Sequence, residues 1–199
     1  MLTVIYGLFS ALSWGAADFT GGLASRKAPY YQVVAITWLL GLVIMPVAAL
    51  IAGEPVMPWT DWVWCMFAGG FGLTGILILY RAMAIGMMSI AAAVSAVMAA
   101  ALPVIAGFFL QGFPGWITIS GFVVALASVW LITVGDGVNK HVRWREIRLP
   151  LLAGIGFGVY FILVNRGSQT SVFWAMVATR LTGCLVLGVF FLIKQRTWS

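Results

Sequence analysis

Seven long apolar runs divide the chain, at residues 3–24, 32–52, 62–80, 88–110, 116–134, 149–166 and 172–193. A helix needs roughly 20 apolar residues to cross about 30 Å of hydrocarbon, and every run is near that length. Backbone groups left unpaired in lipid are costly, and no run alternates with the period of two that a barrel strand would show, so the runs predict helices. The breaks carry turn residues or charge: Ser25-Arg26-Lys27-Ala28-Pro29, Gly53-Glu54-Pro55 through Asp61, Arg81 to Gly86, Gln111 to Gly115, the tract from Gly135 to Arg148, and Arg166-Gly167-Ser168-Gln169. The first run has no Lys or Arg ahead of it and exceeds the apolar stretch of a signal peptide, so it predicts a retained helix. The expected fold class is all-α, a polytopic transmembrane helical bundle of about seven spans.

Composition narrows the function classes. Of 199 residues 63% are hydrophobic and only 8% charged, against about 25% charged in a soluble domain. That excludes a soluble enzyme, a disordered chain and a secreted disulfide scaffold. The net charge of +6 does not imply a nucleic-acid partner, because the basic residues sit in short segments between apolar runs and form no surface patch. If the spans alternate, Arg26, Lys27, Arg81, Lys140, Arg143, Arg145, Arg148, Lys194 and Arg196 fall on one side, here called side two. Arg166 falls on side one and Arg180 inside a span. The excess places side two in the cytoplasm and the protein in the cytoplasmic membrane, with the N-terminus outside. Cys65 and Cys184 lie within apolar runs, with no CxxC, HExxH or histidine cluster, so no metal and no cofactor is expected. The one histidine, His141, lies in a loop, and no catalytic pair is evident.

The chain also resembles itself. Sliding the seventh run onto the second by 142 residues places Thr179-Arg180-Leu181 on Thr37-Trp38-Leu39 and Gly183 on Gly41. Sliding the sixth onto the first by 147 places Gly154 on Gly7 and Asn165 on Asp18. Five helices is an odd number, so a second copy would be inverted in the membrane, an architecture recurrent in secondary transporters.

The segment Trp14-Gly15-Ala16-Ala17-Asp18-Phe19-Thr20-Gly21-Gly22-Leu23-Ala24-Ser25-Arg26 resembles the first helix of EamA-type members of the drug/metabolite transporter superfamily. Leu79-Tyr80-Arg81-Ala82-Met83-Ala84-Ile85-Gly86-Met87-Met88-Ser89 is similar to that family's junction between helices three and four. Pro103 and Val104 match its fourth-helix proline, and Trp116 to Val134 its fifth helix. Gln111-Gly112 stands where the family tends to have Gly-Glu. The resemblance implies a first five-helix repeat over residues 1–135, a basic connecting loop over 136–148, and the start of an inverted second repeat over 149–199, in a chain expected to be incomplete. It also implies a cytoplasmic N-terminus, opposite to the charge count, so both orientations stay open. It implies a transporter, not an enzyme, that moves a small organic metabolite, amino-acid-like or drug-like, by alternating access with proton or gradient coupling. The rival expectations are a non-transporting membrane assembly subunit and an inactive fragment of a carrier. The expected partners are the lipid bilayer, a small-molecule solute and, as an open case, further copies of the chain.

Candidate residues follow from the cost of polarity in lipid. Asp18 lies well inside the first span, where a carboxylate costs roughly 2.5–3.5 kcal/mol and needs a proton, a partner or water. It suits a coupling site, or else snorkels to the interface or pairs with Arg26. Arg180 lies inside the seventh span with five donors to satisfy, which suits a substrate carboxylate or another anion or, alternatively, a structural pair with Asp18 or with backbone. Arg81 is an interfacial anchor or a gate, and Asn165 near the end of the sixth run is similarly placed. Trp14, Trp38, Tyr80 and Tyr160 are candidates to line an amphipathic cavity, with lipid or packing contacts as the alternative. Trp59, Trp62, Trp64, Trp116, Trp144 and Trp198 lie near span ends, as an aromatic belt would. Gly154 and Gly158 form a GxxxG pair that predicts close helix approach. The tract from Lys140 to Arg148 reads as a contact with anionic lipid.

Overall fold

The computed structural model describes residues 2–86, 88–135 and 144–196. Among them are seven α-helices and no strand: α1 (Leu2–Lys27), α2 (Tyr30–Ile51), α3 (Trp59–Ile85), α4 (Met88–Gln111), α5 (Trp116–Gly135), α6 (Trp144–Gly167) and α7 (Val172–Arg196). Five of these, α2, α3, α4, α6 and α7, are long and apolar enough over their described residues to cross a membrane. The apolar stretch of α5 is described over Trp116–Ser128, and α1 carries Asp18 within its 26 residues.

Local chemistry sets the boundaries. Pro29 and Pro58 stand immediately before α2 and α3, where a missing N–H costs no helical hydrogen bond. The turn between α4 and α5 needs Gly112 and Gly115, whose φ values of 89° and 87° lie in the left-handed region. Helices overrun the sequence reading at several boundaries: α1 continues through Ser25, Arg26 and Lys27, α3 already begins at Trp59, and two further differences are larger. The segment from Arg81 was expected to be a break, yet α3 continues to Ile85 because Tyr-Arg-Ala-Met-Ala contains no helix breaker; Gly86 then ends it in extended conformation. The connecting loop was expected to reach residue 148, but α6 already begins at Trp144. The rest of that tract, with Lys140, His141 and Arg143, lies outside the described residues, as does Trp198.

The centre of the bundle is α3, which packs on α6 and α7, while α6 also packs on α4 and α2 on α7. With no hydrophobic drive between helices in lipid, close backbone approach must supply the packing, and small residues permit it. A Cβ on Gly154 would stand 2.6 Å from the Ser95 carbonyl of α4, and one on Gly158 would meet Leu102. The GxxxG face therefore meets α4. A Cβ on Gly156 would stand 3.1 Å from the Gly75 Cα of α3. The buried core gathers Val34, Trp38, Leu79, Tyr80, Met83, Phe157 and Leu187. The outer surface is strongly apolar, with Leu50, Phe109 and Ile117 exposed, as lipid-facing positions should be. Trp59 and Trp116, at the starts of α3 and α5, are exposed on side one, while Trp62 packs on Trp174 with ring centroids 6.2 Å apart and planes tilted by 48°.

Each end of the bundle has a polar tie. On side two, Arg26 does not turn back to Asp18. It donates to the carbonyls of Met83 (3.2 Å) and Gly86 (3.1 Å), capping the C-terminal end of α3. On side one, Glu54 in the α2–α3 connection accepts hydrogen bonds from the Ser171 hydroxyl and the Phe173 N–H (2.8 Å) at the start of α7. Its own carbonyl accepts the Trp174 indole N–H (3.3 Å). The Ser171 hydroxyl, followed by the backbone N–H groups of Phe173, Val172 and Trp174, holds the Glu54 carboxyl below the usual carboxylate range against the opposing effect of burial. A carboxylate with a depressed folded-state value stabilises the fold above its unfolded value and loses that contribution as pH falls through the folded one. The tie is therefore expected to persist through neutral pH and to loosen only as pH falls below the ordinary glutamate value of 4.5. Hydrogen exchange at Phe173 and Trp174 should rise there in the native protein, and Glu54→Gln should remove the pH dependence.

Candidate solute-binding site

A cavity of about 230 Å³ opens between α1, α2, α3, α6 and α7. Trp14 and Asp18, four residues apart and so on one face of α1, form its first wall. Trp38 and Thr37 enter from α2, Gly72, Ile76 and Tyr80 from one face of α3, Phe157 and Tyr160 from α6, and Thr179 and Arg180 from α7. The structure thus brings six of the sequence candidates to one place: Asp18, Arg180, Trp14, Trp38, Tyr80 and Tyr160. It places Arg81 elsewhere, in a groove at side two. Asn165 is exposed near the end of α6, where its backbone carbonyl accepts a hydrogen bond from the Gln169 side chain.

Glycines set the aromatic walls in place. A Cβ on Gly21 would run into the Tyr80 hydroxyl, one on Gly72 would meet the Tyr160 ring, and one on Gly183 would run into the Trp38 ring. Gly41 leaves space for the aliphatic stem of Arg180. Tyr80 donates to the Ala17 carbonyl of α1 at 3.4 Å, and the Tyr160 hydroxyl lies 3.8 Å from the sulfur of Met176. Both rings are buried, whereas Trp14 keeps 43% of its surface exposed and meets Phe161 edge-on.

Two opposite charges share this cavity without satisfying each other. The Arg180 guanidinium carbon lies 4.6 Å from the centre of the Trp38 ring, a cation–π contact. Its Nε is buried and has no hydrogen-bond partner. Among the described residues neither Arg180 nor Asp18 makes a hydrogen bond or an ion pair, so the structural pair considered from sequence is not formed. An unpaired buried charge is expensive, and a ligand of complementary charge would relieve both costs. Asp18 also borders a second cavity of about 400 Å³, lined by the thin face of α4 at Ser95, Ala96, Ala99 and Pro103. Asp18 is thus shared by two spaces. No group of three or more His, Cys, Asp or Glu stands together to hold a metal among the described residues.

The α2–α7 contact is reciprocal. Trp38 of α2 lies on Gly183 of α7, and Arg180 of α7 lies on Gly41 of α2. A shift of 142 residues carries Trp38 to Arg180 and Gly41 to Gly183, so each helix offers the other the same pair of positions. Thr37 and Thr179, related by the same shift, both border the cavity. Such exchange of i and j is the mark of a two-fold relation. The threonines and the glycines beneath the rings were not singled out as site residues from sequence, although the shift had already set Thr37 on Thr179 and Gly41 on Gly183.

Comparison with known proteins adds one finding. No curated protein and no solved structure matches the chain. The model of the EamA-like transporter family matches residues 1–134, the stretch that supplies α1 to α5 and with them Trp14, Asp18, Trp38 and Tyr80. With an all-helical bundle, an apolar exterior and an internal polar cavity, this match shows that the chain is an integral membrane protein belonging to the EamA-like transporter family.

Proposed function

We propose that the cavity binds a small zwitterionic or carboxylate-bearing organic solute and carries it across the cytoplasmic membrane by alternating access. The observation that carries this reading is the buried Arg180 Nε without a partner, in a cavity it shares with the equally unpaired Asp18. The guanidinium is the anion's seat, and Trp38 beneath it fixes its plane. Trp14, Tyr80 and Tyr160 supply apolar and aromatic surface for the body of the solute. Asp18 faces an amine of the solute or exchanges a proton with the cavity water, and so couples transport to a gradient. The reciprocal α2–α7 contact supports reading residues 149–199 as the opening of an inverted second repeat, with the cavity at the interface about which the halves rock.

The test is uptake of amino-acid-like solutes into vesicles containing the protein, with and without an imposed proton gradient. Asp18→Asn is expected to lower gradient-driven accumulation by at least about tenfold, within the usual size of a coupling free energy, while solute exchange at zero gradient persists. Loss of both to the same degree would remove the coupling role. The rival reading, a non-transporting assembly subunit, predicts that Asp18→Asn and Arg180→Gln are both tolerated.

A further inference from the structure

A further groove lies at side two, apart from the cavity between Asp18 and Arg180. A groove of about 220 Å³ runs between α2, α3 and α7, with walls that include Leu77, Val186 and Phe190. At its polar end stand Tyr31 and Arg81. Lys194, one turn beyond Phe190 on α7, donates to the Tyr31 hydroxyl at 2.7 Å and lies 4.1 Å from the centre of that ring. We propose that this groove binds one anionic phospholipid of the side-two leaflet, its phosphate held by Arg81, Lys194 and Tyr31 and an acyl chain laid along the apolar walls.

Charge complementarity and position carry the assignment. Two cations mark the headgroup end, at the ends of α3 and α7 on the side where the basic residues of the chain collect. Arg81 is exposed and makes no hydrogen bond or ion pair among the described residues. Tyr31, accepting from Lys194, retains its own hydroxyl proton for a phosphate oxygen. A soluble anion would use this polar end alone, whereas a phospholipid also uses the groove beneath it. The zone is the membrane–water boundary, where Tyr, Lys and Arg meet headgroups.

Native mass spectrometry of the detergent-solubilised protein tests this, with phosphatidylglycerol, phosphatidylcholine and inorganic phosphate as probes. One phosphatidylglycerol is expected to be retained in preference to phosphatidylcholine, by about fivefold for each cation engaged. Arg81→Gln with Lys194→Gln should abolish the preference, and Arg166→Gln, the loss of one charge on side one, should leave it intact. Should the doubly neutralised chain fail to fold, Arg81→Lys with Lys194→Arg must keep the preference, and Ile78→Trp, which fills the groove without touching either charge, must reduce retention. Equal retention of the two lipids, displacement of phosphatidylglycerol by millimolar phosphate, or indifference to Ile78→Trp would each overturn the proposal.

Discussion

Arg180→Gln is expected to lower transport of a carboxylate-bearing solute by about ten- to a hundredfold. A hydrogen bond to a charged group contributes about 1.5–3 kcal/mol, and each 1.4 kcal/mol is about tenfold in affinity. The loss should appear mainly as a raised KM, because the guanidinium acts on binding. An analogue with an amide in place of the carboxylate should be carried about equally by both proteins. Arg180→Lys should restore only part of the preference, since an ammonium cannot stack flat on Trp38 or present two parallel donors. Thermal unfolding of the empty protein separates this from a structural role. The Nε is buried with no partner, so removing the charge should leave stability unchanged or raise it. A structural arginine would instead cost stability when replaced.

Gly183→Ala is expected to be nearly as damaging, though it adds a single methyl group. That group would stand where the Trp38 ring now lies, so either the ring or α7 must move. Overpacking of this kind costs about 1–3 kcal/mol. Displacing Trp38 also removes the face beneath Arg180. Solute affinity should fall by about tenfold or more, and the melting temperature should fall with it. Gly188→Ala, one and a half turns further along α7 in open space, should do neither harm and should even favour the helix by up to about 1 kcal/mol. The pair separates a packing role for Gly183 from a general intolerance of side chains on α7.

Much of this fold was legible because membranes enforce it. Span length and the ban on unpaired backbone groups leave few choices, so the apolar runs foretold all seven helices and most of their ends. The errors fell where that constraint lapses. Residues 81–85 and 144–148 lie at the interface, where charged side chains are free to continue a helix and hydropathy no longer marks its end. In the site, Asp18 and Arg180 stood out because charge inside a span is rare. Their failure to pair did not show, because contact between α1 and α7 depends on rotation about each helix axis, which one sequence does not fix. Arg26 makes the same point: two turns from Asp18 along α1, it reaches instead across to α3. Gly21, Gly72 and Gly183 looked like ordinary small residues of membrane helices. What distinguishes them is the ring lying on each, and that is a tertiary fact.

The central claim, that the cavity between Asp18 and Arg180 holds the solute and opens to each side in turn, is tested most directly by thiol labelling at Thr37, which borders it. Thr37→Cys would be placed in a background with Cys65→Ala and Cys184→Ala, in sealed vesicles of both orientations. A membrane-impermeant maleimide should react from either side, and a transported carboxylate solute should protect the thiol from both. Labelling from one side alone, or labelling that no transported solute slows, would contradict the account.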